Sequence, residues 1–382
     1  MVIAPVATGV WPGLPETERR VLLELLLRGA QSRVRIAERL GLSRASLTRA
    51  ARELLDGGFV TEGELEVSGH RGRPAESLRL RPEAAYFVGV KLTGDMCYVV
   101  LIDLAAHVLV ARERRLPSRD VDDVVAVVAE LVANIAPAGS WPAGLGVAVA
   151  GDVVVRDGVS RLEVSPFLGW NDVPLAGLLA KATGLRVSVA NDVQALTGAH
   201  HWFDGLAQHR SLVVYGLGAG IGSGIVIQDE LVTGTHGRSG RVGHTRIGGE
   251  GVPCAHGHLD CVHSFVTMPA IEGNAGVAPG EYELAVQRAR AGGRRELEAF
   301  EPAARALGEI IAEAVNTLEP EIVSVLGEGR DLFDLAPAAL RESLADHLER
   351  GDPDAVRIEV PPFDFGQYAR GAAVTALRES LI

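Results

Sequence analysis

Cysteine is scarce in this 382-residue chain, and long apolar runs are absent. There are three cysteines, and two of them lie in one cluster, so a disulfide framework is excluded and a reducing cytoplasm is expected. The most apolar stretches, 121–135 and 145–155, contain Asp or Glu at short intervals, and none reaches the ~20 uncharged residues of a membrane span. The N-terminal residues show neither a basic region nor a long apolar core, so we expect no export signal.

Lysine is absent from the first 81 residues, which hold 13 arginines against 10 acidic residues. That segment carries a net charge of +3, whereas the rest of the chain carries −15. An acidic body repels nucleic acid, so any contact with DNA must come from the first 81 residues. The length predicts about two or three domains.

Three short helices are predicted between residues 16 and 56. Apolar residues at helical spacing define the first, at 16–28, while Ser32 and Ser43 are positioned to cap the second and third. A short turn at Gly41-Leu42 separates the last two, which is the helix-turn-helix pattern. The predicted DNA contacts are the outward positions in the first turns of the third helix, where base edges are read: Arg44, Ser46, Thr48 and Arg49.

A two-stranded wing is predicted at 59–68, followed by the basic segment 70–74. Its extended Arg-Gly-Arg-Pro stretch can place Arg71 and Arg73 in a narrow A·T-rich minor groove. A small helical bundle with a solvated arginine face is the alternative, and the basic segment argues against it. We therefore predict a winged helix-turn-helix DNA-binding domain with a basic linker over residues 1–81.

Two cysteines and four histidines lie between residues 244 and 263. Zinc binds Cys and His tetrahedrally, and close spacing lets one loop supply several ligands. A full set of protein ligands leaves no position for water, so this zinc would be structural. A histidine-rich surface loop with two free thiols is the alternative. The predicted ligands are His244, Cys254, His256 and Cys261, with His258 and His263 in reserve.

Beyond residue 82, short apolar strands alternate with helices, as in α/β proteins. Strands at 86–92 and 96–104 should pair, and a last helix should start near Gly366. The glycine-rich segment 216–224 leads into another strand rather than a helix, so a dinucleotide fingerprint is disfavoured. A glycine-rich turn between two strands is predicted instead.

The order of these motifs resembles the ROK family (repressor, open reading frame, kinase). The resemblance covers about residues 84–382, and the N-terminal domain extends it to the transcriptional-regulator branch. It rests on Ala-Val-Ala-Gly-Asp at 148–152, Asn191-Asp192, and the segments 218–224, 239–244 and 254–261.

The resemblance implies an actin-like ATPase/sugar-kinase fold, which is ribonuclease H-like, with two α/β lobes. We expect lobe 1 at 82–190 and lobe 2, with the zinc loop, at 191–365. The C-terminal helix, 366–382, should return to lobe 1 or to the DNA-binding domain. A homodimer or a dimer of dimers is expected.

The phosphate-binding loop departs from the pattern of the family's kinases. Where they have Asp-x-Gly-Gly-Thr, this chain has Lys91, Thr93 and Asp95 in place of the Asp, the first Gly and the Thr. Where the family's kinases have a Gly-Gly pair that contacts the nucleotide, this chain has Gly327-Glu328. We therefore expect no ATP, no Mg²⁺ and no kinase activity, with Asp192 as a vestigial catalytic base.

The sugar-binding motif also departs from the family's pattern. The family's Glu-x-G-H reads Arg241-Val-Gly-His244, and His263 replaces a second glutamate. Arginine prefers carboxylate or phosphate partners, so the effector is either an anionic sugar derivative or absent, with Arg241 neutralising Asp192. The predicted ligand contacts are Asn191, Asp192, Arg241, His244 and His263.

These features predict a DNA-binding transcriptional repressor that senses a sugar, sugar phosphate or sugar acid and has no membrane partner. The alternative is a ROK-type sugar kinase with an accessory N-terminal domain. A third hypothesis is a regulator controlled by a partner protein or by its own level, without a small effector.

Overall fold

The computed structural model describes residues 11, 13–64, 76–137, 141–156, 159–249 and 251–382. The chain forms two compact units. The first comprises the chain up to Ala207 together with the C-terminal residues from Gly366, and the second is Gln208–Phe365. The division falls after Ala207 rather than at 190, because the helix that follows residue 191 packs against the C-terminal segment of the first unit.

The first unit begins with a winged helix-turn-helix. Ser32 and Ser43 cap two of its helices as predicted, and each hydroxyl accepts a hydrogen bond from the backbone N–H three residues later, at 3.3 and 3.1 Å. Apolar residues of all three helices bury together, including Val21, Ile36 and Leu47. The elements are α1 Glu16–Arg28, β1 Gln31–Ser32, α2 Arg33–Leu40, α3 Arg44–Asp56, β2 Val60–Glu64 and β3 Glu76–Leu80.

The wing differs from the sequence prediction. The antiparallel partner of β2 is β3, so the second strand follows the basic segment instead of preceding it. Strand β3 also pairs with β1, and together they make a three-stranded sheet. Residues 65–68, Arg71 and Arg73 lie outside the described residues.

An α/β lobe follows in the same unit. Its five-stranded sheet has the order β11-β7-β4-β5-β6, in which β4, β5 and β6 are antiparallel and β7 and β11 run parallel to β4. Strands β8 to β10 form a separate antiparallel sheet. The elements are β4 Tyr86–Leu92, β5 Met96–Asp103, β6 Val108–Arg115, α4 Val121–Ala133, β7 Gly144–Val149, β8 Asp152–Arg156, β9 Val159–Ser165, β10 Trp170–Val173, α5 Leu175–Thr183, β11 Val187–Asn191 and α6 Asp192–Phe203.

The second unit repeats the strand order of that sheet. The order β14-β13-β12-β15-β16 again joins an antiparallel meander to two strands parallel to its first strand. The predicted glycine-rich turn connects β12 to β13. The elements are β12 Ser211–Leu217, β13 Ile221–Ile227, β14 Glu230–Leu231, α7 His263–Val266, α8 Met268–Ala275, α9 Tyr282–Arg290, α10 Arg294–Leu318, β15 Ile322–Gly327, α11 Leu332–Leu335, α12 Pro337–His347 and β16 Ile358–Glu359.

The last helix, α13 Gly366–Leu381, returns to the first unit. It packs with α6 against one face of the sheet of β4 and β7, while α4 and α5 cover the other face. Successive residues of a strand point to opposite faces of the sheet, so Phe87 packs toward α13 and Val88 packs toward α4. No helix in the described part of the chain combines the length and apolar character needed to cross a lipid bilayer.

Candidate functional site

Helix α3 presents an arginine-bearing surface to solvent. Its buried residues, Leu47, Ala50, Ala51 and Leu54, hold it against the domain core. Arg44 and Arg49 lie on the exposed side, and with Arg52 they line a shallow groove along the helix. Guanidinium groups in the first turns of such a helix suit contacts to phosphates and to guanine edges. Arg52, two turns beyond Arg44, was not among the contacts that the sequence predicted.

Ser46 and Thr48 are also exposed, and both hydroxyls make local hydrogen bonds. The Ser46 hydroxyl lies 2.9 Å from that of Ser43, and the Thr48 hydroxyl donates to the Arg44 carbonyl at 2.8 Å. These bonds stabilise the start of α3. DNA contact by these two residues stays a prediction.

A cysteine–histidine cluster lies in the second unit. The donor atoms of His244, Cys254 and Cys261 all lie within 4.8 Å of one another. The Nδ1 atom of His244 is 4.0 Å from Cys254 Sγ and 3.7 Å from Cys261 Sγ. Two ligands of a tetrahedral zinc ion at ordinary bond lengths are separated by about 3.6 Å, so these three side chains can hold a metal ion.

The local environment favours the metal-binding protonation states. Partial burial, reinforced by the neighbouring imidazoles of His258, His263 and His256, lowers the pKa of His244. Burial opposes ionisation of the Cys254 thiol. Hydrogen bonds from His256 and His258 outweigh it and lower the pKa of that thiol to about 7. A neutral imidazole and a thiolate are the forms that bind zinc.

The fourth predicted ligand, His256, is not part of this three-residue group. Its backbone N–H donates to Cys254 Sγ at 3.3 Å, and its ring centroid is 5.1 Å from that of His244. His258 Nδ1 lies 3.6 Å from Cys254 Sγ, a separation that also suits a shared metal ion. The ring of His263 stacks on that of His244 at 5.5 Å.

Sequence reasoning missed the residue that shapes this loop. Asp260 is buried, and its carboxylate accepts hydrogen bonds from the backbone N–H groups of Gly251 and Val252, at 2.8 to 3.1 Å. These bonds fold the loop back before Cys261. The available signal was that Asp260 is the one acidic residue between Cys254 and Cys261 in the sequence.

The segment that the sequence analysis interpreted as a degenerate phosphate loop lies in the first unit, between β4 and β5, and polar groups of the loop are bonded within the protein. The Thr93 hydroxyl accepts from the Met96 N–H at 3.0 Å, and Arg119 donates to the Gly94 carbonyl at 2.8 Å. A side chain on Gly94 would lie 2.9 Å from the Phe167 carbonyl. These polar groups of the loop therefore have partners within the protein.

Lys91 forms a buried ion pair with Asp192. Its ammonium donates to Asp192 Oδ2 and lies 4.8 Å from the centre of the Tyr368 ring. The two side chains are 5% and 14% exposed. The other oxygen, Asp192 Oδ1, accepts from the Val193 N–H at 3.0 Å. Lys91 is therefore a partner of Asp192 that the sequence analysis did not name.

Asn191 serves as the N-cap of α6. Its Oδ1 accepts from the N–H groups of Val193 and Gln194, at 3.0 and 3.3 Å, and its Nδ2 donates to the Gly151 carbonyl at 3.1 Å. The amide is therefore bonded within the protein on both sides. Sequence reasoning assigned it to ligand hydroxyls because it could not foresee the cap.

Glu328 approaches the glycine-rich turn of the second unit. A Cβ placed on Gly218 would lie 3.2 Å from Glu328 Oε2. The Glu328 carboxylate therefore lies beside the backbone of this turn.

The elements described above define a winged helix-turn-helix followed in the chain by a sugar-kinase-like fold. The chain belongs to the ROK family, whose model matches residues 87–379, and residues 14–61 match a winged helix-turn-helix DNA-binding model.

Relatives span the whole architecture. The xylose repressor of Caldicellulosiruptor bescii is 24% identical over 344 residues, which cover 84% of this chain and 85% of that protein. The solved ROK family transcriptional regulator described as a homologue of the Escherichia coli MLC protein superposes with a TM-score of 0.81 at 22% identity, covering 96% of both chains.

A kinase shares only part of this architecture. The Streptomyces griseus ROK glucokinase superposes with a TM-score of 0.65 at 23% identity, covering 77% of this chain and all of that one. The body of the present chain therefore has the kinase fold, and the N-terminal domain distinguishes it.

Proposed function

We propose that this protein is a DNA-binding transcriptional repressor that responds to a sugar-like effector and has lost kinase activity. The observation that carries this proposal is the pairing of Lys91 with Asp192 in a chain whose α3 presents arginines to solvent. A catalytic base acts by accepting a proton from the sugar hydroxyl. Asp192 is instead held by a buried cation, and Lys91 stands where the family's kinases have an aspartate.

The loss of kinase activity gives a direct prediction. Incubated with ATP, Mg²⁺ and common hexoses, the purified protein should produce no ADP beyond the background, because polar groups of the phosphate loop are bonded within the protein and Glu328 lies beside the glycine-rich turn. A coupled assay that detects ADP measures this, with an active ROK glucokinase as the positive control. Hexose-dependent ADP production at rates on the order of 1 s⁻¹ or more would instead establish the sugar-kinase alternative.

The cluster of His244, Cys254 and Cys261 supports a structural zinc ion. His256 is the fourth ligand in this proposal, and His258, whose Nδ1 lies 3.6 Å from Cys254 Sγ, is the reserve. The metal would tie the loop around Cys254 to the segment that carries His244. Its role is to hold that segment in place, since four protein ligands leave no site for a reactive water.

The effector site in this proposal includes Arg241, His244 and His263 of the second unit. His244 directs Nδ1 toward the sulfurs, which leaves Nε2 on the opposite side of the ring for a ligand hydroxyl. The guanidinium favours a ligand with negative charge, such as a sugar phosphate or sugar acid, and the imidazoles are suited to hydrogen bonds with its hydroxyls. Asn191 and Asp192 contribute less than the sequence suggested, since both already have protein partners.

An anionic effector predicts a specific response of Arg241→Glu. A saturating sugar phosphate or sugar acid should raise the melting temperature of the wild-type protein by about 4 °C or more, and Arg241→Glu should abolish that rise. Arg238→Glu, with the same charge change in the same loop, is the matched control and should keep the response. If no anionic sugar shifts the wild-type transition, or if Arg241→Glu responds unchanged, the assignment of Arg241 is wrong.

A single helix-turn-helix covers only half of a palindromic site, so we propose that the protein binds its operator as a homodimer.

A further inference from the structure

Helix α13 touches the Lys91–Asp192 pair at its first turn. Tyr368 is buried and holds its ring 4.8 Å from the Lys91 ammonium, a cation–π contact. The cation–π contact therefore depends on the position of the Lys91 ammonium, and the ion pair with Asp192 fixes that position. Any ligand that takes either charged group from the other would alter the contact with α13.

The middle of α13 packs so closely on the sheet that the helix cannot shift along it. A Cβ on Gly89 of β4 would lie 1.9 Å from the Ala369 carbonyl, and one on Gly146 of β7 would lie 1.7 Å from the Ala372 carbonyl. The helix backbone thus lies directly on the sheet at two points. It can move only together with its neighbours, as a rigid element.

Polar contacts fix the same helix to α6 and β11. Arg370 bonds Asp204 at 2.8 Å, and Arg378 lies 4.2 Å from the centre of the Trp202 ring. Glu379 accepts a 2.5 Å hydrogen bond from the Ser188 hydroxyl. These contacts extend along almost the full length of α13.

The far end of α13 reaches the DNA-binding domain. The Arg19 guanidinium of α1 donates to the Ile382 carbonyl at 3.3 Å, and Leu377 and Leu381 belong to the same apolar cluster as Val21 of α1. The helix runs thirteen positions beyond Tyr368 to its end at Leu381, which at 1.5 Å per residue is about 20 Å.

We propose that α13 is the element that couples the Lys91–Asp192 site to the winged helix-turn-helix, with Tyr368 and Lys91 as positioning residues. The Lys91–Asp192 pair fixes the position of Tyr368 at the start of α13. Because α13 packs tightly on the sheet, the helix is fixed as a whole, and its last turn contacts α1. Losing the constraint at Tyr368 should loosen α1 and raise the ordering cost of binding DNA. This inference rests on the proposed DNA-binding function for its consequence, though not for its structural test.

Amide hydrogen exchange of the full-length protein tests the coupling without DNA. In Tyr368→Leu, exchange in α1 and in the last two turns of α13 should rise at least about fivefold, because the cation–π contact is lost. Tyr368→Phe keeps the ring and should stay close to the wild type. The neutral pair Lys91→Met/Asp192→Asn should reproduce the effect of Tyr368→Leu, and it removes both charges together so that neither is left buried alone.

The control is Arg114→Met/Glu130→Gln, which removes an exposed ion pair of the same unit between β6 and α4. It should leave exchange in α1 unchanged. Unchanged exchange in α1 of Tyr368→Leu would overturn the proposal, and so would an equal rise throughout the first unit, which indicates general destabilisation.

The same variants give a second readout on DNA. Tyr368→Leu should weaken binding to a duplex selected by the wild-type protein at least about fivefold, with Tyr368→Phe again close to wild type. A wild-type protein that selects no DNA sequence contradicts the proposed function, while the exchange result still decides the coupling. Sequence-selective binding that Tyr368→Leu leaves unchanged contradicts the coupling alone.

Discussion

Replacing Arg44 and Arg49 together with alanine is expected to weaken sequence-specific DNA binding strongly while leaving the fold intact. Both side chains are exposed on α3, and neither belongs to the core of the domain. An arginine that reads a base contributes about 1–3 kcal/mol, so the double variant should lose at least about thirtyfold in affinity. Fluorescence anisotropy with a labelled operator duplex measures this loss, and circular dichroism checks the fold.

The matched control is Arg294→Ala with Arg305→Ala. It removes the same charge from exposed ion pairs in the second unit. Its affinity should stay within about twofold of the wild type, since surface ion pairs contribute little. Equal losses in the two double variants would mean that general charge, and not α3, determines binding. An unchanged affinity of Arg44→Ala/Arg49→Ala would place the reading surface elsewhere.

Replacing Cys254 with serine should remove the metal and much of the stability of the second unit. Structural zinc contributes its binding free energy to folding, and Cys254 is one of the three residues whose donor atoms cluster in the loop. Losing roughly 4 kcal/mol would lower the melting temperature by about 10 °C or more in a unit of this size. Elemental analysis of the purified protein should find about one zinc per chain in the wild type and well under one in the variant.

Cys97→Ala is the control for Cys254→Ser. Cys97 is a buried thiol of β5 outside the cluster, and burial raises its pKa to about 12, as expected for an inert thiol. This variant should keep its zinc and lose only the packing of one sulfur atom. Wild-type protein purified with far less than one equivalent of metal would refute the zinc assignment, as would full metal content in Cys254→Ser.

Local signals in the sequence were enough for the DNA-binding helices. Ser32 and Ser43 indicate the starts of α2 and α3, because a capping hydroxyl bonds to backbone N–H groups only a few residues further along the chain. The same holds for the glycine-rich turn after β12, where the residues on both sides read as strands. Each of these features depends on neighbours within a few positions of the chain.

The wing required information that local signals lack. Strand β3 begins beyond the basic segment, and its pairing with β2 and β1 is a property of the three-stranded sheet. A two-stranded interpretation of 59–68 placed the second strand too early, since nothing local marks how far the chain travels before it returns.

The ion pair of Lys91 with Asp192 was missed for a related reason. The two residues are 101 positions apart. They meet because β4 and β11 are parallel strands of one sheet, so that the ends of both strands lie at the same edge. The substitution of Lys91 for an aspartate was visible in the sequence, but its partner depended on the strand order. Tyr368 joins them from a helix that returns from the other end of the chain.

Selection of DNA sequences from a random duplex pool by the full-length protein tests the central claim most directly. The account predicts enrichment of a palindromic site whose half-sites lie about one helical turn or a multiple of it apart, bound at least about 10³-fold more tightly than unrelated DNA. A pool that stays unenriched after repeated rounds with folded, metal-loaded protein would contradict the claim that this ROK protein is a DNA-binding regulator.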